Sequence, residues 1–186
     1  MRKASLSFIV LAAAFAAVCV FAASHDVLVA GSNSAVPTAT PAAIHKPVFI
    51  TDWDGVKLER GDAEWKAVLS PAEYYILREK GTEEPYSGKL TANKLRGTYH
   101  CAACGLALFS SRHKYDSKTG WPSFYQPIDK KHLVELEDRS IPEDIRTEVV
   151  CARCGSHQGH VFDDGPEPTG LRYCINSAAL RFVRSK

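Results

Sequence analysis

Two cysteine pairs of the same form constrain the fold of this chain more than any other feature. They lie in Cys101-Ala102-Ala103-Cys104-Gly105 and Cys151-Ala152-Arg153-Cys154-Gly155. Two thiolates three positions apart on a tight turn can bind one metal ion, and the trailing glycine permits the backbone conformation of that turn. Two such turns complete a tetrahedral zinc site with four sulfur ligands. We therefore predict a structural zinc ion that joins two distant hairpins and has no open coordination position.

Paired cysteines also have other uses. Disulfide bonds remain an alternative in an oxidising compartment. A thioredoxin-like redox site would need a single motif in a βαβ setting. A zinc ribbon that binds nucleic acid usually has about 15 to 20 residues between its pairs, whereas residues 105–150 separate the pairs here. The spacing therefore favours a metal that ties together distant parts of one fold.

Short segments rich in β-branched and aromatic residues follow Gly81, separated by Gly, Pro and Asp. Short strands without long intervening helices predict antiparallel sheets. We predict strands at Thr98–Cys101, Leu106–Phe109, Leu133–Leu136, Glu148–Cys151, Gly159–Phe162, Leu171–Ile175 and Ala179–Val183.

The clearest helix start is Ser70-Pro71-Ala72-Glu73. Its serine can cap the helix, its proline suits the first helical position, and its glutamate completes a capping box. We expect this helix to run to about Lys80 and to end at Gly81. One further helical turn is expected at Ile141–Ile145.

The first 23 residues have the layout of a secretory signal. Two cations precede an apolar run from Leu6 to Ala23 whose only polar residue is Ser7. An uncleaved membrane anchor is the alternative, because the run is about as long as the shortest membrane spans. Residues 24–46 are predicted to form a flexible linker and residues 47–186 the folded domain. With either leader the domain would be periplasmic or secreted.

The charge balance argues against an electrostatic partner. Arg2 and Lys3 of the leader account for the excess of 23 basic over 21 acidic residues. The remaining chain is near neutral, which counts against binding to nucleic acid or anionic lipid. We expect no nucleic-acid partner, and we expect a monomer.

Cys174 is the only cysteine outside the leader that lacks a paired partner. In a strand at Leu171–Ile175 it shares a face with Arg172 and Asn176, whereas Tyr173 takes the other face. A cation and an amide beside a thiol are typical of a reactive cysteine, and Arg172 should move the pKa below its usual value of about 8.5. The alternative is a small buried apolar residue, the usual use of a lone cysteine.

Two histidines and a tryptophan add further chemistry. His157 and His160 directly follow the second cysteine pair. Because the thiolates already fill a metal site, we interpret these histidines as general acids, with two surface histidines as the alternative. Trp121 lies in the turn Gly120-Trp121-Pro122-Ser123-Phe124. That turn would expose or clamp the indole, and core packing of the indole also fits.

Taken together, these segments resemble the B family of methionine sulfoxide reductases, which act on the R epimer at sulfur. The resemblance runs from about Leu69 to Phe182 and implies a mainly β fold of two antiparallel sheets with short peripheral helices, stapled by zinc. Its motifs, in one order, are Gly81-Thr82-Glu83-Glu84-Pro85, Gly97-Thr98-Tyr99-His100-Cys101, Gly120 to Phe124, Gly159-His160-Val161-Phe162, Asp164-Gly165-Pro166 and Arg172 to Ser177.

The resemblance also implies roles for single residues. Cys174 would be the nucleophile, with Trp121 receiving the substrate methyl group and Phe162 lining the same site. The remaining site residues would contact the sulfoxide oxygen or its water (His157 and His160) or support the site (Arg172, Asn176 and Asp164). A thiolate that attacks the sulfoxide sulfur becomes a sulfenic acid, which a thiol must then reduce.

At one position the chain departs from part of that family. Many members carry a resolving cysteine just before the Gly-Trp-Pro turn, where this sequence has Thr119. Ser117 and Lys118 provide no thiol either. We therefore expect an external thiol or a thioredoxin-like donor to reduce the sulfenic acid.

Two other functions remain open from the sequence. A zinc-knuckle binding module would have no chemistry at Cys174. A cysteine hydrolase would use Cys174, a histidine and Asn176, although papain-type chains place the cysteine before the histidine, the reverse of the order here.

Overall fold

The structure, a computed structural model, describes residues 48–186. The predicted leader at residues 1–23 and the predicted linker at residues 24–46 lie outside the described residues. Within the described part, no helix is both long enough and apolar enough to cross a membrane.

Within residues 48–186, nine strands form two antiparallel sheets, which confirms the predicted fold class. The smaller sheet has the order β2-β1-β9 and the larger one has the order β3-β4-β8-β7-β6-β5. The strands are β1 (Gly97–Cys101), β2 (Ala107–Ser110), β3 (Lys114–Tyr115), β4 (Ser123–Phe124), β5 (Leu133–Asp138), β6 (Arg146–Cys151), β7 (His157–Phe162), β8 (Arg172–Ile175) and β9 (Leu180–Arg184).

All seven predicted strands are present, each within a few residues of its predicted ends. The two-residue strands β3 and β4 were not predicted, because so short a segment has no period to detect. The prediction of a helical turn at Ile141–Ile145 is wrong. This segment forms a tight turn that belongs to no helix, closed by a hydrogen bond from Asp144 N to Ile141 O, and β6 begins directly after it.

Two short helices, α1 (Asp62–Val68) and α2 (Pro71–Arg78), precede the strands. The predicted capping box opens α2, since Ser70 Oγ accepts from Glu73 N and the Glu73 carboxylate accepts from Ser70 N. The helix ends at Arg78, slightly before the predicted Lys80, whose φ of 58° is incompatible with a right-handed helix. Helix α1 was missed, because its first residue follows a glycine with no capping side chain.

Aromatic packing joins the two sheets into one core. Phe109 of β2 stacks on Phe124 of β4 with ring centroids 4.4 Å apart, and Tyr99 of β1 meets the same ring at 5.0 Å. All three side chains are fully buried. Burying each contributes about 1.5–3 kcal/mol by area, and the aromatic pairing adds about 0.5–1.5 kcal/mol.

The segment before α1 docks on this core. Ile50 N donates to Gly105 O, and Ala107 N donates to Ile50 O. Further along the segment, Leu58 N donates to Arg153 O. The segment is thereby fastened to both cysteine turns.

Candidate active site

The four paired cysteines converge on one buried point. Their Sγ atoms all lie within 4.8 Å of one another. Two of the separations are 3.7 Å, from Cys101 to Cys154, and 3.5 Å, from Cys104 to Cys151. A tetrahedron with zinc about 2.3 Å from each sulfur has edges of about 3.8 Å, whereas a disulfide needs about 2.05 Å. The spacing therefore fits a shared cation, and none of these cysteines is in a disulfide.

Polar groups around the cluster also suit thiolates. Gln158 Nε2 donates to Cys101 Sγ, and Ser156 Oγ lies 3.2 Å from Cys154 Sγ. Hydrogen bonds from the neighbouring thiols, Cys101 first, hold the pKa of Cys154 well below its usual range. A cation in the cluster would remove the remaining protons, because metal binding requires deprotonated thiols. The four residues thus fit a structural metal site.

A β-bulge places both predicted histidines on one face of the larger sheet. Two residues three apart on a regular strand point to opposite faces. In β7, however, Gly159 pairs with Val149 and His157 pairs with Val150, so Gln158 is an extra residue. His157 and His160 consequently share a face, with ring centroids 5.4 Å apart.

Gly159 allows this bulge and the close approach of β8. Its φ of 155° is one that residues with a side chain rarely adopt, and a Cβ at this position would overlap the carbonyl oxygen of Cys174. The register then sets Cys174 directly opposite His160 on β7 and opposite Ser123 on β4. Residues paired in this way have side chains on the same face.

Cys174 is partly buried, and its apolar neighbours on β8, Tyr173 and Ile175, face the core as predicted. Burial raises the pKa of its thiol, although a hydrogen bond with Thr119 and the charge of Arg172 lower it. The net shift is upward. Arg172 does lower this pKa, but the expectation that the pKa lies below its usual value is wrong, because loss of hydration outweighs the effect of the cation.

Arg172 is occupied by two other groups. Its Nε and Nη2 each donate to an oxygen of Asp164 over 2.7 Å, and its guanidinium lies 4.2 Å from the centroid of the Phe162 ring. The bidentate pairing fixes the orientation of the guanidinium. Arg172 thus links Asp164 and Phe162 to the strand that carries Cys174.

His157 is buried against a carboxylate that the sequence analysis missed. Its Nδ1 donates to Glu148 Oε1 over 2.8 Å, and Lys80 Nζ binds the other oxygen at 2.7 Å. Burial nevertheless lowers the pKa of His157, since it outweighs the bond to Glu148. Among the described residues nothing hydrogen-bonds to Nε2 of His157, which is buried.

His160 is paired with a second carboxylate that the sequence analysis missed. Its Nε2 lies 2.8 Å from Asp138 Oδ2, and Arg146 Nη2 binds the same oxygen at 2.8 Å. Bonds from Ser140, His160 and Arg146 hold the pKa of Asp138 well below its usual range. The hydrogen bond to this charged carboxylate fixes the orientation of the His160 ring.

A cavity of about 120 Å³ opens at Cys174. It is lined by Thr82, Trp121, Arg146, Gly159, His160, Phe162, Cys174 and Asn176. Of the predicted substrate and acid residues, Trp121, Phe162 and His160 therefore meet at the thiol. His157 contributes no wall of this cavity, and neither does Asp164.

Glu83 holds the cavity wall to the end of β8. Its carbonyl accepts from the Trp121 indole over 3.0 Å, and its N–H donates to Asn176 Oδ1 over 3.1 Å. Its carboxylate accepts from the N–H groups of Ser177 and Ala178. Since Asn176 Nδ2 also donates to Gln158 O, both polar atoms of the Asn176 amide bond to the backbone.

The carboxylates of Glu83, Glu148 and Asp138 could not be assigned from their spacing in the sequence. Glu83 lies 38 residues before Trp121, and Asp138 lies 22 residues before His160. One signal was available for Glu148, because a charged residue inside an otherwise apolar strand such as Glu148–Cys151 usually has a buried partner.

A β-sheet domain with a four-thiol cluster and a separate thiol beside an imidazole in a cavity has the architecture of a thiol-dependent enzyme. The family model described as SelR domain matches residues 69–184, and the chain therefore belongs to the SelR domain family.

Several curated relatives carry the name peptide methionine sulfoxide reductase MsrB. The protein from Methanosarcina mazei is 56% identical over 130 residues, which cover 70% of this chain and 92% of that protein. The protein from Leptospira interrogans is 55% identical over 69% of this chain and 97% of its own length. The protein from Pseudomonas entomophila is 54% identical over 67% of this chain and 94% of its own length.

Proposed function

We propose that this chain is a peptide-methionine (R)-S-oxide reductase, which reduces the R epimer of methionine sulfoxide in oxidised proteins and peptides. Identity of 54–56% to reductases along most of their own length carries this function. The cavity adds support, because a thiol, an imidazole and an indole meet there. Repair of oxidised proteins under oxidative stress is the corresponding role.

The chemistry begins with attack of the Cys174 thiolate on the sulfoxide sulfur. The substrate sulfur is reduced by two electrons, the Cys174 sulfur is oxidised by two, and the products are methionine and a sulfenic acid. The departing oxygen must take up protons, so an imidazolium beside it lowers the barrier. Trp121 and Phe162 would receive the substrate's apolar end.

His160 is the acid that best fits this step. It lines the cavity and is paired with Asp138, whereas His157 contributes no wall of the cavity and burial lowers its pKa. His157 would then orient the oxygen or its water through Nε2. Arg172, Asp164 and Asn176 would keep β8 and the aromatic wall in position.

Zinc is the proposed metal for Cys101, Cys104, Cys151 and Cys154. Their sulfurs are buried and close enough for a tetrahedral site, and four protein ligands leave no open position. The metal would stabilise the fold and take no part in the reaction.

An external thiol is proposed to regenerate Cys174. Thr119 Oγ1 lies 3.8 Å from Cys174 Sγ, at the position where other family members have a resolving cysteine. A small thiol or a thioredoxin-like protein would attack the sulfenic acid, release water and form a mixed disulfide. A second thiol would then restore Cys174.

A periplasmic or secreted location is proposed from the leader, with a membrane anchor as the alternative. N-terminal sequencing of the mature protein tests it, because a start near residue 24 supports cleavage and an intact Met1 supports the anchor. A zinc assay on the same sample tests the metal.

The function is tested with peptides that carry either sulfoxide epimer. Mass spectrometry should show loss of one oxygen from the R epimer only. Cys174→Ser should abolish this loss while the metal content and unfolding midpoint stay unchanged. Activity that survives Cys174→Ser would overturn the assignment.

A further inference from the structure

Three hydroxyl groups form a continuous hydrogen-bonded chain that starts at the reactive sulfur. Thr119 Oγ1 lies 3.8 Å from Cys174 Sγ and 2.8 Å from Ser117 Oγ. Ser117 Oγ lies 2.7 Å from Ser123 Oγ, and Ser123 donates to the carbonyl oxygen of Trp121 over 3.2 Å. The chain therefore runs from the thiol to the backbone of the indole that lines the cavity.

The local fold fixes the geometry of this chain. Lys118 and Gly120 have φ angles of 62° and 97°, so the loop folds back and its two hydroxyls meet. Tyr86 clamps the loop, because its N–H donates to Gly120 O and its hydroxyl donates to Lys118 O. Ser123 is fully buried and is the register partner of Cys174.

The direction of the chain depends on the proton of Cys174. Each hydroxyl has one proton to donate. A protonated Cys174 can donate to Thr119, and the donation then passes through Ser117 and Ser123 to the Trp121 carbonyl. A thiolate can only accept, so the Thr119 hydroxyl turns towards the sulfur. Ser117 and then Ser123 turn after it, because each oxygen–oxygen contact then keeps one proton. The Trp121 carbonyl then loses its hydroxyl donor.

We propose that the hydroxyls of Thr119, Ser117 and Ser123 stabilise the anionic sulfur of Cys174 by reversing their direction when the thiol loses its proton. Thr119 is the group in contact with the reacting atom, and the two serines orient it. For catalysis this rests on the proposed function, in which that anion attacks the sulfoxide. The chain occupies the place where other family members have a resolving cysteine.

The charged side chains near the sulfur have hydrogen-bond partners of their own. Arg172 is held by Asp164, His160 is held by Asp138, and Arg146 binds Asp138 from the cavity wall. The hydroxyl of Tyr115, which shares the face of Ser123, has no hydrogen-bond partner among the described residues. Burial raises the pKa of Cys174, and that rise is opposed first by the hydrogen bond with Thr119 and then by Arg172.

The first test measures the pH dependence of iodoacetamide alkylation at Cys174 in the metal-loaded full chain without substrate. Mass spectrometry of the Cys174 peptide isolates this thiol from the clustered ones. Thr119→Val should raise the pKa by about one unit and slow alkylation at neutral pH about tenfold. Thr119→Ser, which keeps the hydroxyl, should stay near the wild-type profile.

A second variant tests whether the effect comes from loss of the hydroxyl. Thr119→Ala also removes the hydroxyl, makes no steric demand, and should shift the profile in the same direction. An unchanged profile in both variants would overturn the proposal. Since no turnover is involved, that result would leave the reductase assignment untouched.

The reversal itself is visible at the Trp121 carbonyl. With ¹³C-carbonyl tryptophan, the chain gives signals from its 3 tryptophans, and a Trp121 variant assigns one of them. This signal should titrate with the alkylation midpoint in the wild type and stay fixed in Ser123→Ala. A wild-type signal that does not move through the Cys174 titration would contradict the reversal.

Discussion

The four clustered cysteines and Cys174 have the same side chain in different surroundings. The clustered sulfurs are buried at the ends of β1 and β6 and in the turns that follow, where each thiol meets other thiols. Cys174 is partly buried in mid-strand, where its sulfur meets a hydroxyl and faces a cavity with an imidazole. The comparison shows that neighbours and access determine what a thiol does.

The largest effect is expected from removing one of the four clustered sulfurs. Cys151→Ser should abolish metal binding and unfold the domain, because the binding energy of a structural metal is also folding energy. A zinc assay and circular dichroism would check this result. Chelation of the wild type should have the same effect, and full stability without metal would contradict the structural role.

The next largest effect concerns the acid beside Cys174. Asp138→Asn should lower kcat about 10- to 100-fold with little change in KM, because His160 loses the charge that stabilises its protonated form. Steady-state kinetics with an R-sulfoxide peptide would measure it. The matched variant Glu148→Gln should lower kcat less, since His157 is not the proposed donor. Equal losses of kcat in the two variants would contradict the assignment of His160, rather than His157, as the acid.

Glu148→Gln should instead act on stability. The change removes a buried charge bound by both Lys80 and His157, and should cost about 1–3 kcal/mol of unfolding free energy at neutral pH. Burial raises the pKa of Glu148, but these two partners bring the net value below its usual range.

A lowered carboxyl pKa stabilises the fold above the unfolded value of about 4.3. That contribution disappears as the pH falls through the folded pKa. Denaturant titrations should therefore show the gap between wild type and Glu148→Gln narrowing in acid. A gap that is constant with pH would mean that the charge is not responsible.

The smallest effect is expected from a substitution that gives Cys174 a second thiol as a neighbour, as each clustered cysteine already has. Thr119→Cys places a second thiol where Oγ1 now lies 3.8 Å from Cys174 Sγ. One turnover should then leave a disulfide between residues 119 and 174, seen as a cross-linked peptide. Persistence of an open sulfenic acid in this variant would show that the loop cannot bring the two sulfurs together.

Much of this arrangement was accessible from the sequence, because it depends on local patterns. The repeated cysteine motif predicted the cluster, alternation predicted which face of β8 carries Cys174, and the capping box predicted α2. The bulge at Gln158 was not accessible, since it depends on the pairing of β7 with β6. The partners of the histidines depend on how β5, β6 and β7 pair, and the surroundings of Cys174 depend on the pairing of β8 with β4 and β7.

The most direct measurement is a single turnover without reductant, followed by dimedone labelling and peptide mapping. We expect one labelled Cys174 for each methionine formed from the R sulfoxide, with the four clustered cysteines unlabelled and still metal-bound. Methionine formed while Cys174 stays unmodified, or label found on Cys101, Cys104, Cys151 or Cys154 instead, would contradict it.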